Sequence, residues 1–268
     1  MPTRTQSVNN TSLSYDERGP ADARPPVVFL HGFPLDSTMW EHQLQSLSAA
    51  GHRVVAPDFR GFGRSLSQDP FTLESLADDV HSLLGPIGAA PCALVGLSMG
   101  GYVALAFARK YPQDLRALVL VDTKAEADSD EAKRGREKMI ELARTAGARA
   151  VADQMMPKML AADSAARPQV AGRLRAIMEA CPPETIQHAL AAMRDRPDRT
   201  GELGSIKVPA LVIVGDADAI TPPDVAASMA GRIPGAKLVT IRGAGHMSPM
   251  EQPEQVTAAL RSFIQSLA

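Results

Sequence analysis

Six short, mostly apolar runs recur along the chain: 27–30, 54–56, 92–95, 115–121, 210–214 and 238–241, interrupted only by Arg116 and Thr240. Runs of this length and character suit strands buried on both faces, which occur in parallel sheets covered by helices. Between them lie stretches with helical apolar spacing, at 40–50, 73–84, 102–110 and 223–230, and a last amphipathic stretch covers 254–267. Strand and helix in alternation predict an α/β fold, a mostly parallel central sheet with helices on both faces. Val8, Leu13 and Tyr15 predict a hairpin at one edge of that sheet.

The alternation breaks once. From Lys124 to Ser205 there is no strand pattern, only helical spacing such as Val151 with Met155 and Met159, or Ile186 with Leu190 and Met193. This stretch leaves the sheet at the end of the sixth predicted strand. Ligands bind at the carboxyl ends of strands in open α/β sheets, so an insert there is expected to cap the binding crevice. The expected division is a core made of 1–123 and 206–268, with a helical cap, or lid, at 124–205. Within the cap, Met139, Met155, Met156 and Met159 are the candidates to face a ligand, because methionine adapts to varied shapes; packing the cap onto the sheet is the alternative role for them.

The sharpest local signal is Gly96-Leu97-Ser98-Met99-Gly100, which lies where a predicted strand turns into a predicted helix. In a G-x-S-x-G turn the serine is held in a strained backbone and its hydroxyl projects above the sheet, at a helix N-terminus that favours negative charge. A serine hydroxyl needs a base, and the base needs an orienting acid. Strand ends later in the chain offer both. Asp216 and Asp218 follow the run at 210–214, and His246 lies in a glycine-bearing loop after 238–241. Asp218, with reach to turn back, is the expected partner of His246. Asp216 is expected to brace its turn, and Asp122, at the end of the preceding strand, is a third candidate. Developing negative charge on a substrate oxygen calls for two backbone N–H donors: Met99, after the serine, and Phe33, in the loop after the first parallel strand. His31 is expected to brace that loop.

Taken together, His31-Gly32-Phe33-Pro34-Leu35-Asp36, the segment from Asp58 to Ser65, the Ser98 elbow, Gly215-Asp216-Ala217-Asp218 and Gly245-His246 resemble the α/β-hydrolase fold family over essentially the whole chain. The HGFPLD segment and the GLSMGG elbow are most similar to those of 3-oxoadipate enol-lactonases and small carboxylesterases. The resemblance implies a Ser98–His246–Asp218 triad that hydrolyses a carboxylic ester or lactone through an acyl-enzyme, without a cofactor. Carbon–carbon bond hydrolases and cofactor-free perhydrolases share these elements, and some proteins of the fold serve as small-molecule receptors.

Composition sets the remaining expectations. A formal net charge of -2 and a pI near 6.3 provide no basic face for nucleic acid. No apolar run approaches the roughly 20 residues that span a bilayer. The polar first ten residues lack the apolar segment of a signal peptide, and Cys92 and Cys181 do not suggest a disulfide framework. These features predict a cytoplasmic protein with no nucleic-acid or membrane association; no metal cluster or dinucleotide fingerprint appears in the sequence, and the resemblance implies a small-molecule ester or lactone as partner.

Overall fold

A computed structural model describes residues 4–267; the first three of the ten polar residues noted above, and Ala268, lie outside it. The chain opens with strands β1 (Arg4–Val8), β2 (Thr11–Arg18) and β3 (Val27–Leu30), followed by helix α1 (Glu41–Ala49), β4 (Val54–Pro57) and α2 (Leu73–Leu84). Next come β5 (Cys92–Leu97), α3 (Met99–Lys110) and β6 (Leu115–Val121). Four helices then follow in succession: α4 (Asp130–Met159), α5 (Ala162–Ala165), α6 (Pro168–Ala180) and α7 (Pro183–Arg194). The chain closes with β7 (Ala210–Gly215), α8 (Pro223–Arg232), β8 (Lys237–Ile241), α9 (Ser248–Glu251) and α10 (Pro253–Gln265).

The eight strands form one sheet in the order β1-β2-β4-β3-β5-β6-β7-β8. β1 and β2 are antiparallel to their neighbours, and every pair from β4 to β8 is parallel. Side chains alternate between the two faces with the period of two that a pleated strand imposes. Val28, Leu30, Leu94, Leu118, Leu120, Val212 and Val214 point to a core shared with α2, α3 and α8. Val27, Phe29, Val95, Val119, Val121, Leu211 and Ile213 point to a second core, shared with α1 and α10. Helices therefore cover both faces, as the continuous apolar runs require.

The run at 238–241 departs from that pattern. β8 is an edge strand, its Leu238 is 41% exposed, and only Ile241 among its residues is buried. Its apolar letters reflect β-propensity more than burial on two faces.

Strand order also locates a crevice. β3 lies between β4 and β5, and the chain leaves β3 toward β4 but leaves β5 toward β6. The loops after β3 and β5 therefore part at their carboxyl ends, at the point where α/β sheets open a binding crevice. Over it, α4 is broken at Gly147, whose φ of 76° no helix accepts. The insert is tied to the sheet's loops at several points: Thr185 Oγ1 donates to Gly61 O at 3.0 Å, and Arg173 Nη2 donates to Thr38 O at 2.6 Å.

Phe29 is fully buried and packs against Trp40, the only tryptophan, with ring centroids 5.0 Å apart. Phe29→Ala is expected to cost about 3–5 kcal/mol of stability. Urea unfolding followed by Trp40 fluorescence measures that loss as a lower midpoint.

Candidate active site

β5 ends and α3 begins on either side of Ser98, which has φ 52° and ψ -113°. A non-glycine residue in this region carries strain of about 1–3 kcal/mol and persists only where its surroundings impose it. Here they do. Ser98 N–H donates to Val121 O at 3.0 Å, and Thr123 Oγ1 donates to Ser98 O at 2.8 Å. The backbone crosses itself closely at the two flanking glycines. A Cβ on Gly96 would fall inside contact distance of the Gly100 carbonyl, and one on Gly100 would strike the Leu30 carbonyl. Only glycine at both positions allows the turn to pass so near to β3.

The turn delivers Ser98 Oγ to His246 Nε2 at 2.9 Å, and His246 Nδ1 lies 2.9 Å from Asp218 Oδ2. With Nδ1–H donating to the carboxylate, Nε2 is free to accept from the serine hydroxyl. Asp218 is held in its own turn. Oδ1 accepts from the Ile220 and Thr221 amides at 2.8 and 3.0 Å, and Oδ2 accepts from Thr221 Oγ1 at 2.6 Å. His246 and Asp218 are buried, while Ser98 is half-buried and open to the crevice.

The other two carboxylates have different tasks. Asp216 Oδ1 accepts from Gly243 N at 2.9 Å and Ala244 N at 3.3 Å, so it braces the start of the His246 loop and does not touch the imidazole. Asp122, fully buried at φ 43°, accepts from Gly215 N at 2.8 Å and from Ser248 Oγ at 2.5 Å. It ties the loop carrying Asp218 to the one carrying His246. Burial, reinforced by the nearby Asp218 charge, pushes Asp122 up to about 8.

Glu251 has a matching role that the sequence alone did not disclose. Its Oε1 accepts from Gly245 N at 2.9 Å and Met247 N at 3.1 Å, clasping the backbone on both sides of His246. Its Oε2 accepts from Ala161 N at 2.8 Å, which fastens the end of α4 to the same loop. The signal available was an acidic residue in the polar tail of that loop, five positions after the histidine.

His31 sits beneath Phe33. Its Nδ1 donates to Gly32 O at 2.9 Å and its Nε2 accepts from Phe59 N–H at 3.0 Å. Burial pushes its pKa down, which keeps the ring neutral and this pattern intact. The loop is thereby held against the elbow, where a Cβ on Gly32 would lie 3.6 Å from Ser98 Cβ. Among the described residues, the Phe33 and Met99 amides have no intramolecular acceptor, and Ser98 does not cap α3 with its side chain. These free N–H groups beside the hydroxyl suit an oxyanion. Arg60 pairs with Asp79 of α2 at 2.6 and 2.7 Å and so braces the surrounding turn against that helix.

A cavity of about 360 Å³ lies beside Phe33, under the insert. Phe33, Tyr102 and Ile220 line it from the core, and Met139, Met155 and Leu190 from the insert. Met156 and Met159 do not line it: Met159 is fully buried in the core shared with α1 and α10, and Met156 packs against that core. The reason lies in the anchor at Ala161, which draws the last turn of α4 down onto Glu251 and away from the crevice. Among the described residues no group of three His, Cys, Asp or Glu side chains could hold a metal ion, and no helix is long and apolar enough to cross a membrane.

The alpha/beta hydrolase fold family matches residues 25–253. A relative described as AB hydrolase superfamily protein YisY of Bacillus subtilis (strain 168) is 30% identical over 250 residues, 90% of this chain and 92% of that protein. A thermophilic esterase from Thermogutta terrifontis, solved with malate bound, superposes with a TM-score of 0.94 at 39% identity, covering 100% of this chain and 99% of that one. The enol-lactonase from Burkholderia xenovorans LB400 superposes with a TM-score of 0.90 at 31% identity, covering 98% and 100% of the two chains.

Burial alone would lower the pKa of His246, but the hydrogen bond and charge of Asp218, with Asp122 and Glu251 behind it, leave it raised above 6.5. Asp218→Asn removes the principal opposing influence. NMR titration of the imidazole is expected to place the His246 pKa above 6.5 in the native protein and below the native value in the variant.

Proposed function

The chain belongs to the alpha/beta hydrolase fold family, and from that premise we propose that it is a serine hydrolase of carboxylic esters or lactones, with Ser98, His246 and Asp218 as its catalytic residues. The observation that carries this reading is the unbroken hydrogen-bonded chain from Ser98 Oγ through both nitrogens of His246 to Asp218, 2.9 Å at each link. Its similarity to an esterase and an enol-lactonase supports the bond type.

The chemistry follows from the geometry. Ser98 Oγ attacks the substrate carbonyl carbon as its proton passes to His246 Nε2. The carbonyl oxygen takes up negative charge and is met by the Phe33 and Met99 amides, with the N-terminus of α3 behind them. Asp218 holds the imidazole in the required tautomer and stabilises the imidazolium; the raised pKa of His246 expresses that stabilisation. Collapse of the tetrahedral species expels the alcohol, which takes the proton from Nε2, and leaves an acyl group on Ser98. Water then repeats the sequence and releases the acid. In this reading 124–205 is the cap over the crevice and the rest of the chain is the catalytic core.

Ser98→Ala is expected to stay folded and to lose a factor on the order of 10⁶ in kcat on an ester substrate. Steady-state hydrolysis of a p-nitrophenyl ester with many turnovers per protein is the expected native behaviour. A single burst with a persistent adduct would favour a receptor instead. Asp218→Asn is expected to cost about 10⁴ in kcat, while Asp216→Asn mainly lowers stability.

The acid limb of the pH profile tests the base. His246 accepts a proton only when neutral, and its folded pKa is raised above 6.5. Activity on a neutral ester should therefore fall as pH is lowered through a midpoint above 6.5 and level off on the alkaline side. A rate that stays flat from pH 8 down to about 5 would rule out His246 as the base.

A further inference from the structure

The cavity beside Phe33 has an apolar wall and a charged one. Phe33, Met139, Met155, Leu190 and Ile220 form the apolar part, and Lys124, Asp128 and Arg136 share its wall. Lys124 follows Thr123, whose hydroxyl is bonded to the Ser98 carbonyl, so this cation enters the cavity directly beside the elbow.

Three cations converge on one buried carboxylate there. Asp128 Oδ1 receives Arg196 Nη1 at 2.8 Å, Asp128 Oδ2 receives Arg136 Nε at 3.0 Å, and Lys124 Nζ stands 3.9 Å from Oδ1. Glu126 is the other carboxylate near Lys124, so the cations still exceed the acids by three to two.

The three are not equally occupied. Arg196 is committed through both terminal nitrogens, which donate to Met193 O and Glu126 O, and it lies over the Tyr102 ring at 4.2 Å; only its buried Nε lacks an acceptor. Arg136 engages Asp128 through Nε alone, and among the described residues its terminal nitrogens have no acceptor. The Lys124 ammonium has no hydrogen-bond acceptor among the described residues, because 3.9 Å to Asp128 is an ion pair without a hydrogen bond. Burial, together with the Arg196 and Arg136 charges, lowers the pKa of this ammonium, so an added anion would relieve a real electrostatic cost.

We infer that Lys124 Nζ and the terminal nitrogens of Arg136 form an anion subsite, and that the preferred substrates are esters or lactones bearing a free carboxylate on the acyl side. This rests on the serine hydrolase reading of Ser98. The carboxylate sits between the two cations, and the apolar wall receives the carbon chain that joins it to the scissile carbonyl. A guanidinium face and an ammonium together match a carboxylate better than an uncharged polar end, because charge-assisted hydrogen bonds are about twice as strong as neutral ones.

The test compares monoethyl esters of succinate, glutarate and adipate with ethyl esters of matched monocarboxylic acids in a pH-stat assay. In the native protein, kcat/KM for the best half-ester should exceed that of its neutral match by roughly tenfold or more. Lys124→Met should collapse that ratio toward one, and Lys124→Arg should restore most of it. Arg136→Met should lower the ratio as well; if it unfolds through loss of its Asp128 bond, the two Lys124 variants decide the matter. A ratio near one in the native protein, or an unchanged ratio in Lys124→Met, would overturn the subsite while leaving the hydrolase reading intact. Failure to hydrolyse either ester type would remove that reading and the subsite with it.

Discussion

Ser98 keeps a positive φ because two neighbouring backbones leave it no alternative. β6 takes its amide and the Thr123 hydroxyl takes its carbonyl, while Gly96 and Gly100 let β5, α3 and β3 approach at distances that a side chain would prohibit. Much else depends on this one turn. It begins α3 at the serine, leaves the Met99 amide unclaimed, and puts the hydroxyl at the crevice where the loops after β3 and β5 part. A strained residue is stable only inside a rigid frame, and the frame here is the parallel sheet packed on both faces.

Around the imidazole the structure buries three carboxylates and gives each a separate set of donors. Asp218 faces His246, Asp122 joins the Gly215 amide to Ser248, and Glu251 grips Gly245, Met247 and Ala161. Burying like charges so close together is costly, and the molecule responds by pushing Asp122 up to about 8 while Asp218 stays lowered. Asp218 is the one of the three that touches the histidine, set in backbone that the other two acids hold still. Loss of either bracing acid would loosen the loops that carry the pair, which makes them positioning residues in any chemistry the pair performs.

The insert joins this scheme through the same anchors. Glu251 pins its α4 end to the His246 loop, and Asp128 gathers Lys124, Arg136 and Arg196 at its start. Between those points α4 breaks at Gly147, and the insert lines a cavity with both apolar and cationic side chains. The charge lining the cavity thus comes from the insert, whereas the geometry at the hydroxyl is set by the sheet.

Much of this was legible in the sequence because it is local. Continuous apolar runs reveal buried strands, G-x-S-x-G at a strand end reveals the elbow, and strand-end loops bearing Asp218 and His246 stand out by position. β8 was legible as a strand but not as an exposed edge, since propensity does not report neighbours. The sequence narrowed the partner of His246 to Asp216, Asp218 and Asp122, and only the folded chain decided which carboxylate touches the ring. It could not separate Met139 and Met155 from Met156 and Met159, because that depends on how the break at Gly147 and the tie at Ala161 aim each turn. Nor could it find Glu251 or the charge cluster at Asp128, whose partners lie 90 and 68 residues away along the chain. Backbone conformation is written in neighbouring residues, but contacts between distant loops exist only after the sheet has brought them together.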